Sequence, residues 1–248
     1  MIPRELLAGS PSSGMVWRIV ENQEQAATRN ITASAAEQSR LEQLLDNNKP
    51  AYLPGTGKLH WLLKTPFRYP PLPHGSRFGS AIQPGILYAA RERETAMTES
   101  AVYLWLFRAG PLELGPLGQI RDGRTALRFR AAHSAASDLT TAACDGYREH
   151  ISDPASYTVS QSLGTELREA GIGMVWFHSA RAAAGINCAV LDPSSVQSDS
   201  APQQEHWRVQ LDSTSCWWGR PGEEAFEISL SSVADPSGRI PHPMNQAH

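Results

Sequence analysis

Apolar positions fall into helical spacing in three stretches of the chain and into alternation in several others. Ser34 and Glu37 have the separation of a capping box. Leu41, Leu44 and Leu45 follow on one face, and Asn47, Asn48 and Pro50 close the run, which predicts a helix over 34–47. A second helix is expected from Thr95 to Phe107, with an inward stripe of Ala96, Glu99, Val102 or Tyr103, and Leu106. A third spans 158–170, with Leu163 and Leu167 inward and Gly171 as its stop. Strands are expected at Val16–Val20, Ile86–Ala90, 125–131, Met174–Phe177, Asn187–Leu191, Trp207–Leu211 and Ala225–Leu230, the third of them with one solvated face. Residues 8–14 read as a turn or flexible segment. Residues 138–140 and 180–185 read as loops, the stretch from 192 to about 205 as polar connection, and the last dozen residues as a loose tail. No repeat and no composition shift divides the chain into two domains.

Between these elements, residues 50–84 are rich in Pro, Gly and aromatic residues, which suits irregular but packed backbone anchored by Trp61, Phe67, Tyr69 and Phe78. Ordered loops of this length are often functional. The rest of the composition narrows the field. With 41% hydrophobic residues in a chain of 248, a sizeable core can form. A formal charge of -3 offers no general affinity for nucleic-acid backbone. The three cysteines lack metal-ligand spacing and read as reduced thiols of a reducing cytoplasm. The eight histidines form no metal-binding pattern, the N-terminus does not read as a signal peptide, and no run approaches the roughly 18 apolar residues of a membrane span.

Three residues stand out chemically. A carboxylate on an apolar helix stripe, Glu99, is costly to bury unless paired, although a small rotation would carry it to solvent. Arg77 lies in the glycine-flanked loop Gly75-Ser-Arg-Phe-Gly79, where backbone can approach a ligand and a guanidinium can grip a phosphate; a surface turn is the alternative. Tyr88 sits on the strand between them, where an aromatic residue is ordinarily core.

The run from Phe67 to Gly79, then Gly85-Ile-Leu-Tyr-Ala-Ala90, then Thr95-Ala-Met-Thr-Glu99, resembles the RES domain, a family named for an arginine, a glutamate and a serine. Arg77, Tyr88 and Glu99 are evenly spaced, 11 residues apart, as in that pattern. The serine is matched by Ser179 in Met174-Val-Trp-Phe-His-Ser179, ahead of Gly185-Ile-Asn-Cys-Ala-Val190. Trp17-Arg18 and residues 37–50 are similar to the leader of longer members, so the likeness runs from about 17 to 192 and is best over 60–192. It departs at Ala182-Ala-Ala-Gly185, where the family pattern is richer in glycine.

The resemblance implies an α/β (α+β) fold, a compact mixed sheet with surrounding helices like the core of ADP-ribosyltransferases. It implies an N-terminal helical leader over 1–50 packed on a catalytic domain over 51–248 that carries a C-terminal extension. It implies a toxin of a toxin–antitoxin pair that cleaves the nicotinamide–ribose bond of NAD, by hydrolysis or phosphorolysis. NAD is then a substrate, with no cofactor and no metal. Arg77, Tyr88, Glu99 and Ser179 carry the catalysis, and Arg68 and Tyr69 join Arg77, Tyr88 and Ser179 in holding the dinucleotide. The implied partner is an Xre-type antitoxin, in a complex where the toxin forms a homodimer, in the cytoplasm, with no direct binding to nucleic acid or membrane. Mono-ADP-ribosylation of a protein and a degenerate, non-catalytic binding module are the alternatives.

Overall fold

The longest strand, β3 (Ile120–Asp138), organises the sheet. One of its edges pairs antiparallel with β1 (Ser10–Glu21) from Arg124 to Ala136. Its other edge carries β6 (Gln203–Leu211), antiparallel over its first half, and then β4 (Met174–His178), parallel at its end. β5 (Ile186–Val190) lies antiparallel between β4 and β2 (Leu87–Ala90), and β2 returns to β1 at Trp17 and Ala90. The pairings β1-β2-β5-β4-β3-β1 therefore close on themselves. β6, β7 (Ser215–Gly219) and β8 (Phe226–Ser229) extend the sheet beyond them, giving a mixed sheet of eight strands among the described residues. The computed structural model describes residues 7–22, 32–109, 118–197 and 201–246. Parts of the expected N-terminal leader (1–6 and 23–31), of the polar connection (198–200) and of the tail (247–248) lie outside the described residues.

The helices are α1 (Ala35–Asn47), the short α2 (Trp61–Lys64), α3 (Arg93–Ala109), the short α4 (Arg148–Ile151) and α5 (Thr158–Glu169). α1 has its expected cap: Ser34 Oγ accepts from Glu37 N at 3.2 Å, and Glu37 reaches back to Ala33 N at 2.8 Å. α3 buries Met97, Ala101 and Trp105 against Trp207, Trp218 and Ile228 of the sheet extension. α5 buries Leu163 and Leu167 against Phe78, Val175 and Phe177. A third cluster, Val16, Leu87, Phe129, Trp176 and Val190, fills the closed part of the sheet beneath Leu63 and Phe67. Among the described residues no helix is long and apolar enough to cross a membrane.

Several local expectations change. The segment 8–14 is not a turn from residue 10 onward: β1 begins at Ser10, because backbone pairing along β3 outweighs the turn preference of Ser, Pro and Gly. The face of 125–131 expected in water is covered at Ala126, which packs with the α3 cluster. Phe67 and Phe78 anchor the loop region, whereas Trp61 and Tyr69 are 47% and 41% exposed. β7 had no counterpart in the pattern, since Cys216 and Trp218 face inward in a strand of only five residues. The described part of the tail is not loose: Ile240 and His242 are buried.

Candidate active site

α3 carries Glu99 half-buried between Ala96 and Val102, beside the ends of β4 and β5. β4 ends at His178, and the chain turns back through Ser179–Gly185, closed by Ser179 N donating to Gly185 O at 2.8 Å. Within the turn Ser179 Oγ accepts from the amides of Arg181 and Ala182, both at 3.0 Å. Its proton is thereby directed outward, to Glu99 Oε1 at 2.7 Å. Asn187, near the start of β5, donates Nδ2 to the same oxygen at 2.7 Å. Glu99 Oε1 is thus fully engaged, while Oε2 has no hydrogen bond among the described residues and Glu99 lines a cleft. Two short bonds to an ionised acceptor hold it in one rotamer. Asn187 also lines the cleft, with its buried Oδ1 without a hydrogen-bond partner among the described residues.

Tyr88 on β2 links this corner to the arginine loop. Its hydroxyl accepts from Phe78 N at 2.9 Å and donates to Ser76 Oγ at 3.0 Å. Burial pushes the phenol up to about 12, against the opposing pull of those two bonds, so the group is a neutral hydroxyl. The loop itself turns at Gly75, whose φ of 74° favours glycine. Gln161 of α5 donates to the carbonyls of His74 and Ser76 at 2.9 and 3.0 Å. α5 approaches so closely at Gly164 that a Cβ there would lie 2.1 Å from Phe78 O.

Arg77 is 9% exposed. Its Nη1 donates to Ile151 O and Asp153 O, each at 2.9 Å, and its guanidinium lies 4.8 Å from the centre of the Tyr157 ring. Arg181 repeats the scheme: Nη2 donates to Pro154 O at 3.1 Å and Pro241 O at 2.6 Å. Each guanidinium is therefore anchored through one nitrogen. The other two nitrogens have no hydrogen bond among the described residues. Burial pulls the Arg181 pKa down, as does the neighbouring Arg77 charge, and Glu99 opposes this. From β1, Arg18 donates to Tyr88 O at 2.7 Å, and burial lowers its pKa to about 10.

These groups surround one cleft of about 550 Å³. Arg77, Tyr88, Glu99 and Tyr69 line it. Ser179 stands behind Glu99 rather than on the wall. Arg68 lies elsewhere: it donates to Pro50 O and stacks 4.3 Å from the Tyr52 ring centre. Glu99 is the one Asp or Glu among the described lining residues, which include Arg18, Arg77, Arg124 and Arg181. Asn187, Arg181, Tyr157 and His242 also contribute and were not singled out from sequence. Asn187 had a signal, a lone amide in the apolar run Ile186–Val190; His242 had none. The three cysteines are buried and free, and burial raises the Cys188 and Cys216 thiols, so neither is a ready nucleophile. No group of three His, Cys, Asp or Glu suited to a metal occurs among the described residues.

Residues 52–212 match the family described as RES domain. One chain of the M. tuberculosis MbcT–MbcA toxin–antitoxin complex aligns with 86% of this chain and 94% of its own length, at 13% identity and a TM-score of 0.46. No curated protein matches the chain. The family match spans well over half of the sequence and takes in the loop, strand, helix and turn that present Arg77, Tyr88, Glu99 and Ser179. This chain belongs to the RES domain family.

Proposed function

We propose that this chain is a RES toxin that binds NAD in the cleft and breaks the bond between nicotinamide and ribose. One observation carries the reading. Glu99, the single carboxylate of the cleft among the described residues, is fixed through one oxygen by Ser179 and Asn187 and sits in a wall otherwise rich in arginine. A cation-lined cleft suits a dinucleotide's pyrophosphate, and its volume is in the range of small-molecule sites, which run to about 1,000 Å³.

In the reaction the C1′–N bond breaks and its electron pair passes to the pyridinium nitrogen, releasing neutral nicotinamide. Positive charge develops on the ribose, and the fixed carboxylate of Glu99 stabilises it. An acceptor oxygen then bonds C1′ and loses its proton, for which Glu99 Oε2 has a free lone pair. Arg77 and Arg181 offer unpaired N–H groups to the phosphates. Tyr88, a neutral hydroxyl, packs against the nicotinamide ring and fixes its orientation. Ser179 acts through Glu99. The catalytic unit is the segment 51–248, with Arg18 from the preceding segment reaching the cleft. An Xre-type antitoxin holds the toxin inactive, the toxin forms a homodimer within that complex, and the pair resides in the cytoplasm.

Purified protein mixed with NAD, with and without phosphate, tests the reading. Release of nicotinamide without any protein acceptor is expected, with ADP-ribose or its 1″-phosphate as the second product. Release only when a protein becomes labelled would move the reading to mono-ADP-ribosylation. No release under either condition, with folded protein, would overturn it.

A further inference from the structure

Residues 240–246 lie beyond the segment that matches the family, yet one of them, His242, lines the cleft. Ile240 is buried in the α3 cluster, and Asn245 bonds back to the carbonyls of Ile240 and His242 at 2.8 and 2.9 Å, which closes a compact turn. His242, only 2% exposed, stands edge-on to His74, Tyr103 and Tyr157, with ring centres 5.3, 5.6 and 5.7 Å away. Its Nδ1 accepts from Met244 N at 3.1 Å, so its proton is on Nε2. Nε2 lies 3.1 Å from Tyr157 Oη and donates to it. Both nitrogens are thus used within the protein, and the ring has no free atom for proton transfer to a substrate.

What the segment holds are the two arginines. Pro241 supplies one of the two carbonyls that anchor Arg181. His242 fixes Tyr157, whose ring face carries the Arg77 guanidinium. The other anchors of both arginines come from one turn, Ile151–Pro154. We infer that the segment Ile240–Gln246 is a positioning strap. Through Pro241 and His242 it holds the Arg77–Arg181 pair in place for a pyrophosphate, and so sets affinity for the dinucleotide rather than the rate of bond cleavage. The assignment rests on the cleft being an NAD site, and it deepens that reading by giving the pyrophosphate a subsite and a controlling element outside the family segment.

The test uses the full chain and two ligands, inorganic pyrophosphate and NAD. Affinity for both is read by calorimetry, with NAD measured on Glu99→Gln so that turnover does not intervene, and nicotinamide release is read separately. His242→Ala is expected to weaken both ligands about tenfold and to raise KM by the same factor while kcat changes less than about twofold, as for the loss of one buried hydrogen bond. His242→Gln keeps a donor for Tyr157 and is expected to recover most of the affinity. Tyr157→Phe keeps the ring under Arg77 but cannot accept the bond; it should match His242→Ala, and it serves in its place if the alanine variant does not fold. Wild-type affinity in the folded alanine or phenylalanine variant, a loss confined to kcat, or no binding of either ligand to the unsubstituted strap would overturn the strap. If wild type releases no nicotinamide but pyrophosphate affinity still falls with His242→Ala, the strap stands and the NAD reading fails.

Discussion

The acidic and the arginine parts of the cleft are built by different means. At the Glu99 end, one helix, one strand and the turn before that strand bring three polar side chains together, and the carboxylate is held by a hydroxyl and an amide. At the arginine end the guanidinium groups rest on backbone carbonyls of a turn and of a C-terminal strap. The first arrangement fixes a single negative charge where charge changes during reaction. The second fixes positive charge by partial dipoles and leaves most N–H groups available, as a ligand-binding corner requires. A reacting group needs one rotamer, whereas a binding corner needs unsatisfied donors, and each end has the kind of support its task demands.

Four changes test this division. The largest effect is expected from Glu99→Gln. The amide oxygen can still accept from Ser179 and Asn187, so shape is kept and charge lost, and nicotinamide release should fall by about a thousandfold or more while NAD still binds. A loss below tenfold in single-turnover assays would remove Glu99 from the chemistry. Next is Gly164→Ala. Its Cβ would meet Phe78 O at 2.1 Å, so α5 must leave the Arg77 loop, and urea denaturation should show a loss of about 3 kcal/mol. An unchanged midpoint would mean that the loop does not depend on α5.

Asn187→Ala leaves Glu99 with Ser179 alone. kcat should drop about thirtyfold with little change in KM, the sign that it orients a group at the reacting end. A KM effect instead would merge the two ends of the comparison. The smallest effect concerns the strap and pH. Burial first, then the charges of Arg181, His74 and Arg77, hold the His242 pKa down to about 4, from 6.5 in the unfolded chain. Between those values the unfolded chain binds more protons, so stability rises with pH: it is complete above about pH 6.5 and is lost as pH falls toward 4. Wild type should therefore lose about 2 kcal/mol more than His242→Gln between pH 7.5 and 4.5 in urea titrations. Equal losses would show that His242 is not held neutral.

Much of the Glu99 end was legible from the chain. The stripe Ala96–Glu99–Val102 is a helical pattern, and a carboxylate inside it must find donors; Ser179 and Asn187 are those donors. The arginine end was legible only as a glycine-flanked loop containing Arg77. Nothing local marks Ile151–Pro154 or Pro241 as its supports, since backbone carbonyls leave no trace in residue identity. Arg68 shows the converse. Beside Tyr69 in a proline-rich loop it has the composition of a ligand contact, but the loop turns it onto Tyr52 and Pro50.

By itself the sequence determined where helices and most strands run, because burial writes its period into the apolar positions, and it determined the family through the spacing of Arg77, Tyr88 and Glu99. Only the tertiary structure decided that β1 is a full strand, that the tail folds back to bring His242 to the cleft, and that Ser179 stands behind Glu99 rather than in front of it. Each of these is a matter of which distant backbone or side chain supplies a hydrogen-bond partner. That pairing depends on how the sheet closes, and local pattern carries no record of it.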